Sequence, residues 1–103
     1  MIITGGLNVY PIEVEEEIDA LDGVVESAVV GLPHADFGEA VTAVVAVGGA
    51  GNLDEAKMLA ALEGRLAAFK RPKRVIFVDE LPRNTMGKVQ KAALRERYAG
   101  LYA

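Results

Sequence analysis

Val14, Ile18 and Leu21 recur at i, i+4 and i+7 behind Pro11, a period that predicts a helix opening at the proline. Glu13, Glu15, Glu16 and Glu17 gather at its start, where the positive end of the helix dipole favours acids, and Gly23 closes it. Ahead of it, Ile2-Ile3-Thr4 reads as a strand end running into a loop from Gly5 to Pro11. The period then switches. Val24 to Leu32 is a β-branched run that predicts a strand, Pro33 to Gly38 a turn, and Glu39 to Val47 a second strand. In that second strand Val41, Ala43, Val45 and Val47 point one way and Val44 and Ala46 the other. Both faces are apolar, which places the strand at the centre of a sheet. Gly48-Gly49-Ala50-Gly51-Asn52 reads as a turn. Leu59, Leu62, Leu66 and Phe69 predict a second helix that ends before Pro72. Arg74 to Val78 is a third strand and Pro82 to Lys88 a loop. Val89 to about Tyr98 is a last helix, with Leu94, Tyr98 and Leu101 on one face. This order predicts a small α+β domain: about three strands packed by helices, preceded by a short N-terminal strand and a Gly-Gly loop.

The 103 residues make one domain, residues 1–103, with room for one core but little for a deep self-contained site. An apolar content of 51% against 25% charge excludes wholesale disorder. The absence of cysteine removes disulfides and thiolate chemistry, and a single histidine, His34, cannot build a histidine metal cluster. Met1 to Gly6 shows neither a basic stretch nor a long apolar run, so the expected setting is the cytoplasm, with no membrane segment. The net charge of −4 hides an asymmetry: residues 1–69 balance at −10 and residues 70–97 at +6. The basic stretch could attract a phosphate-bearing ligand or pair with the acidic half, and charge alone leaves both open. Nucleic acid is disfavoured, because no surface aromatics interleave with the basic residues.

Two loops hold the candidate chemistry. Gly87-Lys88 invites a phosphate-loop reading, which fails because Pro82 stands where a glycine is needed and Val89 where a Ser or Thr is needed. The glycines near 48–51 fail as a dinucleotide fingerprint at Asp54. What remains is Pro82-Arg83-Asn84-Thr85-Met86-Gly87-Lys88, a turn-forming loop that carries one long ammonium side chain outward. Such a charge about 4 Å from an anion is worth up to about 4 kcal/mol at an effective dielectric of 20. From the residues alone a solvated surface lysine remains the alternative. Gly5-Gly6 would let a narrow ligand chain run close to the backbone, or would simply make a turn.

Gly5-Gly6-Leu7-Asn8-Val9-Tyr10-Pro11-Ile12-Glu13-Val14-Glu15 resembles the glycine-containing motif that opens the C-terminal domain of adenylate-forming enzymes. These are the acyl-CoA synthetases, luciferase-like relatives and nonribosomal peptide synthetase adenylation domains. Pro82 to Lys88 resembles the motif near that domain's end. Gly31-Leu32-Pro33-His34-Ala35-Asp36 with Gly38-Glu39, and Phe69-Lys70-Arg71-Pro72-Lys73, follow the family pattern between them. The resemblance spans essentially the whole chain and is closest in flavour to malonyl-CoA or methylmalonyl-CoA synthetases.

The resemblance implies part of an AMP-forming acid–CoA ligase. ATP and a carboxylate give an acyl-adenylate, and CoA then displaces AMP. The small domain rotates between the steps. The lysine matching Lys88 is the catalytic cation of adenylation, and the loop matching Gly5 and Gly6 lines the pantetheine tunnel. Arg71 and Lys73 stand as candidate holders of CoA's phosphates. His34 is expected to be structural, and the Glu13–Glu17 cluster a solvated helix face rather than a metal site. Magnesium and the acyl pocket belong to the partner N-terminal domain, which this chain lacks together with the hinge, so inactivity alone is expected. An exposed Lys88 would also suit a lysine acyltransferase, with a matching deacylase. The alternative is a stand-alone ligand-binding or protein-interaction module that serves as such an acyltransferase's substrate.

Overall fold

A computed structural model describes residues 1–48 and 53–103 of the chain. β1 (Ile2–Thr4) pairs antiparallel with β2 (Leu7–Val9), Thr4 facing Leu7 across Gly5 and Gly6. The two glycines hold φ of 57° and 83°, as a two-residue type I′ turn requires. The expected Gly5–Pro11 loop therefore contains a strand. Its three residues are too few for an alternating pattern to declare itself.

Pro11 opens α1 (Pro11–Asp19), whose Val14 and Ile18 are fully buried. The helix stops at Asp19 instead of running to Gly23. The Leu21 N–H donates to the Ile18 carbonyl, and Gly23 at φ 90° turns the chain into the next strand.

β3 (Val24–His34) and β4 (Gly38–Val47) form a long antiparallel ladder. The other edge of β4 is shared by β1 at Gly38 and by β5 (Arg74–Val78), which runs parallel to Thr42–Ala46. β4 is central, as its two apolar faces predict. Val41, Ala43 and Val45 join Val29, Val14, Ile18, Met58 and Leu62 in one buried cluster. On the opposite face Val44 joins Ala28, Val30, Leu32, Leu81 and Leu94. Helices thus cover both sides: α1 and α2 (Glu55–Leu62) on the first, α3 (Lys91–Arg97) on the second. Tyr98 and Leu101 pack beside Leu94 as their spacing predicts.

The second helix is shorter than expected. Asp54 caps its start by accepting the Lys57 N–H at 2.7 Å. It ends at Leu62, just before Gly64, a poor helix former. Leu66 reaches the core through a turn, and Ala68–Lys70 is a separate 3₁₀ turn that leaves Phe69 partly exposed. Met58, outside the predicted stripe, is buried with Leu62. Of the turn expected over 48–52, residues 49–52 lie outside the described residues.

Candidate functional site

Leu81 is buried, and beyond it Pro82 leads into a second hairpin, where Arg83 and Val89 face each other as an isolated antiparallel bridge. The Asn84 N–H donates to the Lys88 carbonyl at 3.0 Å, and the Gly87 N–H to the Asn84 carbonyl at 2.9 Å. Asn84 Oδ1 accepts the backbone N–H groups of Met86 at 2.9 Å and Lys88 at 3.0 Å, which closes the turn from inside. Gly87 sits at φ 80°, where a side chain would be strained. The Pro82–Lys88 loop is therefore a closed turn, and Lys88 is exposed at its end. Arg83 Nη1 donates to the Gly87 carbonyl at 2.6 Å, while Nη2 pairs with Glu26 on β3. Lys88 borders a shallow depression of about 770 Å³ with Asn84, Gln90, Lys91 and Arg95.

The acidic and basic halves do pair, but selectively. Lys70 meets Glu13 at 2.6 Å, Arg74 meets Glu55 at 2.9 Å, Lys91 meets Glu15 at 2.8 Å, and Arg65 meets Glu17 at 3.4 Å. Glu15 also accepts the Val29 N–H at 2.8 Å. Glu13, Glu15 and Glu17 thus tie α1 to its neighbours, while Glu16 stays exposed as expected of a solvated face. Among the described residues, Arg71, Lys73, Lys88, Arg95 and Arg97 are left without an ion-pair partner. Three of these are the cations singled out by their motifs.

Gly5, Gly6 and Lys73 meet at one corner. The Gly5 N–H donates to the Phe37 carbonyl at 2.9 Å, and Lys73 Nζ lies 4.3 Å from the Phe37 ring centroid. A Cβ added to Gly6 would meet nothing within 4 Å, so the space outside it is open. Arg71 and Lys73 border one depression of about 190 Å³, and Arg71 Nε is buried without a hydrogen-bond partner. The hairpin carrying Lys88 is anchored elsewhere. Its tie, Glu26, pairs with Ala46 at one end of the β3–β4 ladder, whereas Phe37 adjoins the His34–Gly38 pair at the other. Glu26 and His34 are roughly 26 Å apart along β3 at about 3.3 Å per residue. The sequence-predicted residues therefore form two groups, not one.

His34 Nδ1 accepts the N–H groups of Asp36 at 3.1 Å and Phe37 at 3.3 Å, and its ring packs beside Phe37 and Tyr102. It shapes the turn beneath Gly5. Sequence reasoning passed over Phe37 and Glu26. The available signal for Glu26 was a single carboxylate inside a mostly apolar strand. The pKa shifts fall on Glu55 and Tyr102, neither of them a residue singled out by the motifs. The Val75 N–H, aided by Arg74, holds Glu55 below its usual value against the opposing effect of burial, and burial raises Tyr102. Among the described residues no group of three or more His, Cys, Asp or Glu side chains is placed to hold a metal ion. No helix among them is long and apolar enough to cross a membrane.

The family model described as "AMP-binding enzyme C-terminal domain" matches residues 13–88. A methyl-dioxo-octahydroindenyl propanoyl:CoA ligase of Mycobacterium tuberculosis is 49% identical over 96 residues, covering 93% of this chain and 19% of that protein. The long-chain-fatty-acid–CoA ligase FadD13 of Mycobacterium tuberculosis is 46% identical over 99 residues, covering 96% of this chain and 20% of its own length. The chain spans about a fifth of the length of these curated relatives. Among solved structures, ATP-bound MatB from Rhodopseudomonas palustris superposes with a TM-score of 0.96 at 65% identity, covering 98% of this chain and 20% of that one.

Proposed function

The chain belongs to the AMP-binding enzyme C-terminal domain family, and from that premise we propose that it is the mobile catalytic domain of an AMP-forming acid–CoA ligase. In the first half-reaction a carboxylate oxygen attacks the α-phosphorus of ATP and pyrophosphate leaves. In the second, the CoA sulfur attacks the acyl carbon and AMP leaves. The observation that carries the reading is Lys88, an exposed cation with no ion-pair partner among the described residues, held out by a hydrogen-bonded turn. Delivered to a partner N-terminal domain, its ammonium stabilises the charge that gathers on the α-phosphate and the attacking carboxylate. It neither takes a proton nor forms a bond. At about 4 Å and an effective dielectric of 20 this is worth up to about 4 kcal/mol, or roughly 10³-fold in rate. Magnesium, which attends ATP, belongs on the partner domain.

For the second half-reaction the domain presents its other corner. The open space outside Gly6 admits the pantetheine arm, and Arg71 and Lys73 face the phosphates of CoA. The spacing of the two groups favours this division, because a rigid domain cannot offer both ends of one ladder to one active site without turning.

The acyl group is malonyl or methylmalonyl in this proposal. Support comes from the identity to MatB, 65%, against 46% and 49% for the two ligases of other acids. Those two act on a ring-bearing propanoate and on long-chain fatty acids, yet share this domain almost equally. The domain itself therefore does not select the acid. The exposure of Lys88 further suits control by lysine acylation, which would remove its charge. The setting is the cytoplasm, where ATP and CoA are available.

The test joins this domain to its own N-terminal adenylation domain, which selects the acid, by fusion or in trans, and follows both half-reactions with malonate, methylmalonate and a fatty acid. Activity should appear only in the joined protein, with the diacids preferred. Lys88→Ala should lose adenylation far more than thioester formation from preformed acyl-adenylate. Equal loss of both would refute the role of Lys88. Treatment with a lysine acyltransferase and mass spectrometry examines the regulatory reading, which an unmodified Lys88 would end.

A further inference from the structure

Arg83 holds two partners at once. Its Nη1 donates to the carbonyl of Gly87, the peptide immediately before Lys88, and its Nη2 pairs with Glu26. The first bond fixes the peptide plane from which Lys88 departs. The second ties that guanidinium to the sheet. A planar fork can fix direction in this way where a flexible ammonium cannot.

Glu26 faces the hairpin by the ordinary alternation of β3, in regular register with Ala28. Ala28, Val30 and Leu32 pack on the α3 side of the sheet, and Val29 on the other. Strict alternation would put Val24 and Glu26 on one face. Val24 instead packs with the α1–α2 cluster, because the ladder shifts register between Val24 and Glu26 and leaves Val25 unpaired and 67% exposed. One extra residue thus moves Val24 to the α1–α2 side, while Glu26 keeps the phase of Ala28 and faces Arg83. As a stabilising feature, a partly exposed ion pair of this kind contributes little. A guanidinium fork that holds both a sheet carboxylate and the Gly87 carbonyl is better explained by geometry than by stability.

We propose that the Glu26–Arg83–Gly87 brace is a positioning device that fixes the direction in which Lys88 leaves the domain. Arg83 and Glu26 are positioning residues: they act through Lys88 and do not touch the reacting atoms. The inference rests on the adenylating role proposed for Lys88.

The experiment uses Arg83→Met, Arg83→Lys, Glu26→Gln and Lys88→Ala in the joined enzyme, with both half-reactions measured. Arg83→Met should lower kcat for adenylation on the order of 10²-fold, the scale of a misplacement of about 1 Å, while KM for ATP and the rate of thioester formation stay put. Arg83→Lys should recover part of the loss, since an ammonium can keep one partner but not hold both in a plane. Glu26→Gln should cost less, and its effect should vanish in the Arg83→Met background. Amide relaxation of Gly87 and Lys88 in the 103-residue chain should show loosening in Arg83→Met. If Lys88→Ala abolishes adenylation but Arg83→Met runs at the unaltered rate, the brace is overturned and the parent reading stands. If Lys88→Ala spares adenylation, the parent reading falls first. Equal losses in both half-reactions, tracking a lowered melting temperature, would mark a merely structural role and overturn the brace as well.

Discussion

Replacing Gly5 separates the turn's need for positive φ from the space that the proposed pantetheine path requires. Gly5→Ala keeps the residue small but places an L side chain at φ 57°, in left-handed territory that costs about 1–2 kcal/mol. The added Cβ itself is tolerable, because it would meet Phe37 Cδ1 at 3.6 Å, ordinary contact. For a domain of this size each kcal/mol lowers the melting temperature by about 4–8 °C. Gly5→Asn offers the contrast. Asn-Gly is the preferred pair for a type I′ turn, so the fold should lose well under half as much while the side chain grows. Thermal denaturation of the chain reports the first demand, and thioester formation from preformed acyl-adenylate in the joined enzyme reports the second. Gly5→Asn should melt close to the unaltered chain yet slow thioester formation, with adenylation spared. Equal destabilisation by Asn and Ala would refute the turn argument. A stable Gly5→Asn variant with normal thioester formation would remove Gly5 from the pantetheine path.

Arg71→Ala with Lys73→Ala should raise KM for CoA about tenfold or more, leave KM for ATP unchanged and weaken the salt dependence of CoA binding, as initial rates at several ionic strengths would show. Glu55 supplies the pH dependence. Its pKa is lowered in the folded chain by the Val75 N–H and Arg74. Its contribution is therefore present above the unfolded value near 4.5 and is lost as pH falls through the folded one. Glu55→Gln should flatten the decline in melting temperature in that acid window, and an unchanged slope would contradict this. Leu94→Ala opens a cavity in the second cluster and should destabilise by about 2–5 kcal/mol in denaturant unfolding, with the slope of the transition unchanged.

What was legible in the chain was whatever its local period encodes. The double apolar face of β4, the bounds of β5 and the grouping of Leu94 with Tyr98 and Leu101, just past the end of α3, all follow from local spacing. Losses came where the deciding partner is distant in sequence. Leu7–Val9 becomes a strand only because β1 is there to pair with it, and the bulge at Val25 exists only against β4. The acids of α1 looked solvated because Lys70, Lys91 and Arg65 lie in later elements. The same limit hid the tie from Glu26 to Arg83, 57 residues apart. The candidate residues were found from their motifs, but their division into two corners needed the fold.

The most direct measurement is a structure of the joined enzyme trapped with a non-hydrolysable acyl-adenylate analogue. Lys88 Nζ should lie within about 4 Å of the bridging phosphate or acyl oxygen, the range in which its charge is worth several kcal/mol. An ammonium resting in solvent, with the nucleotide's charge met by other groups, would contradict the account.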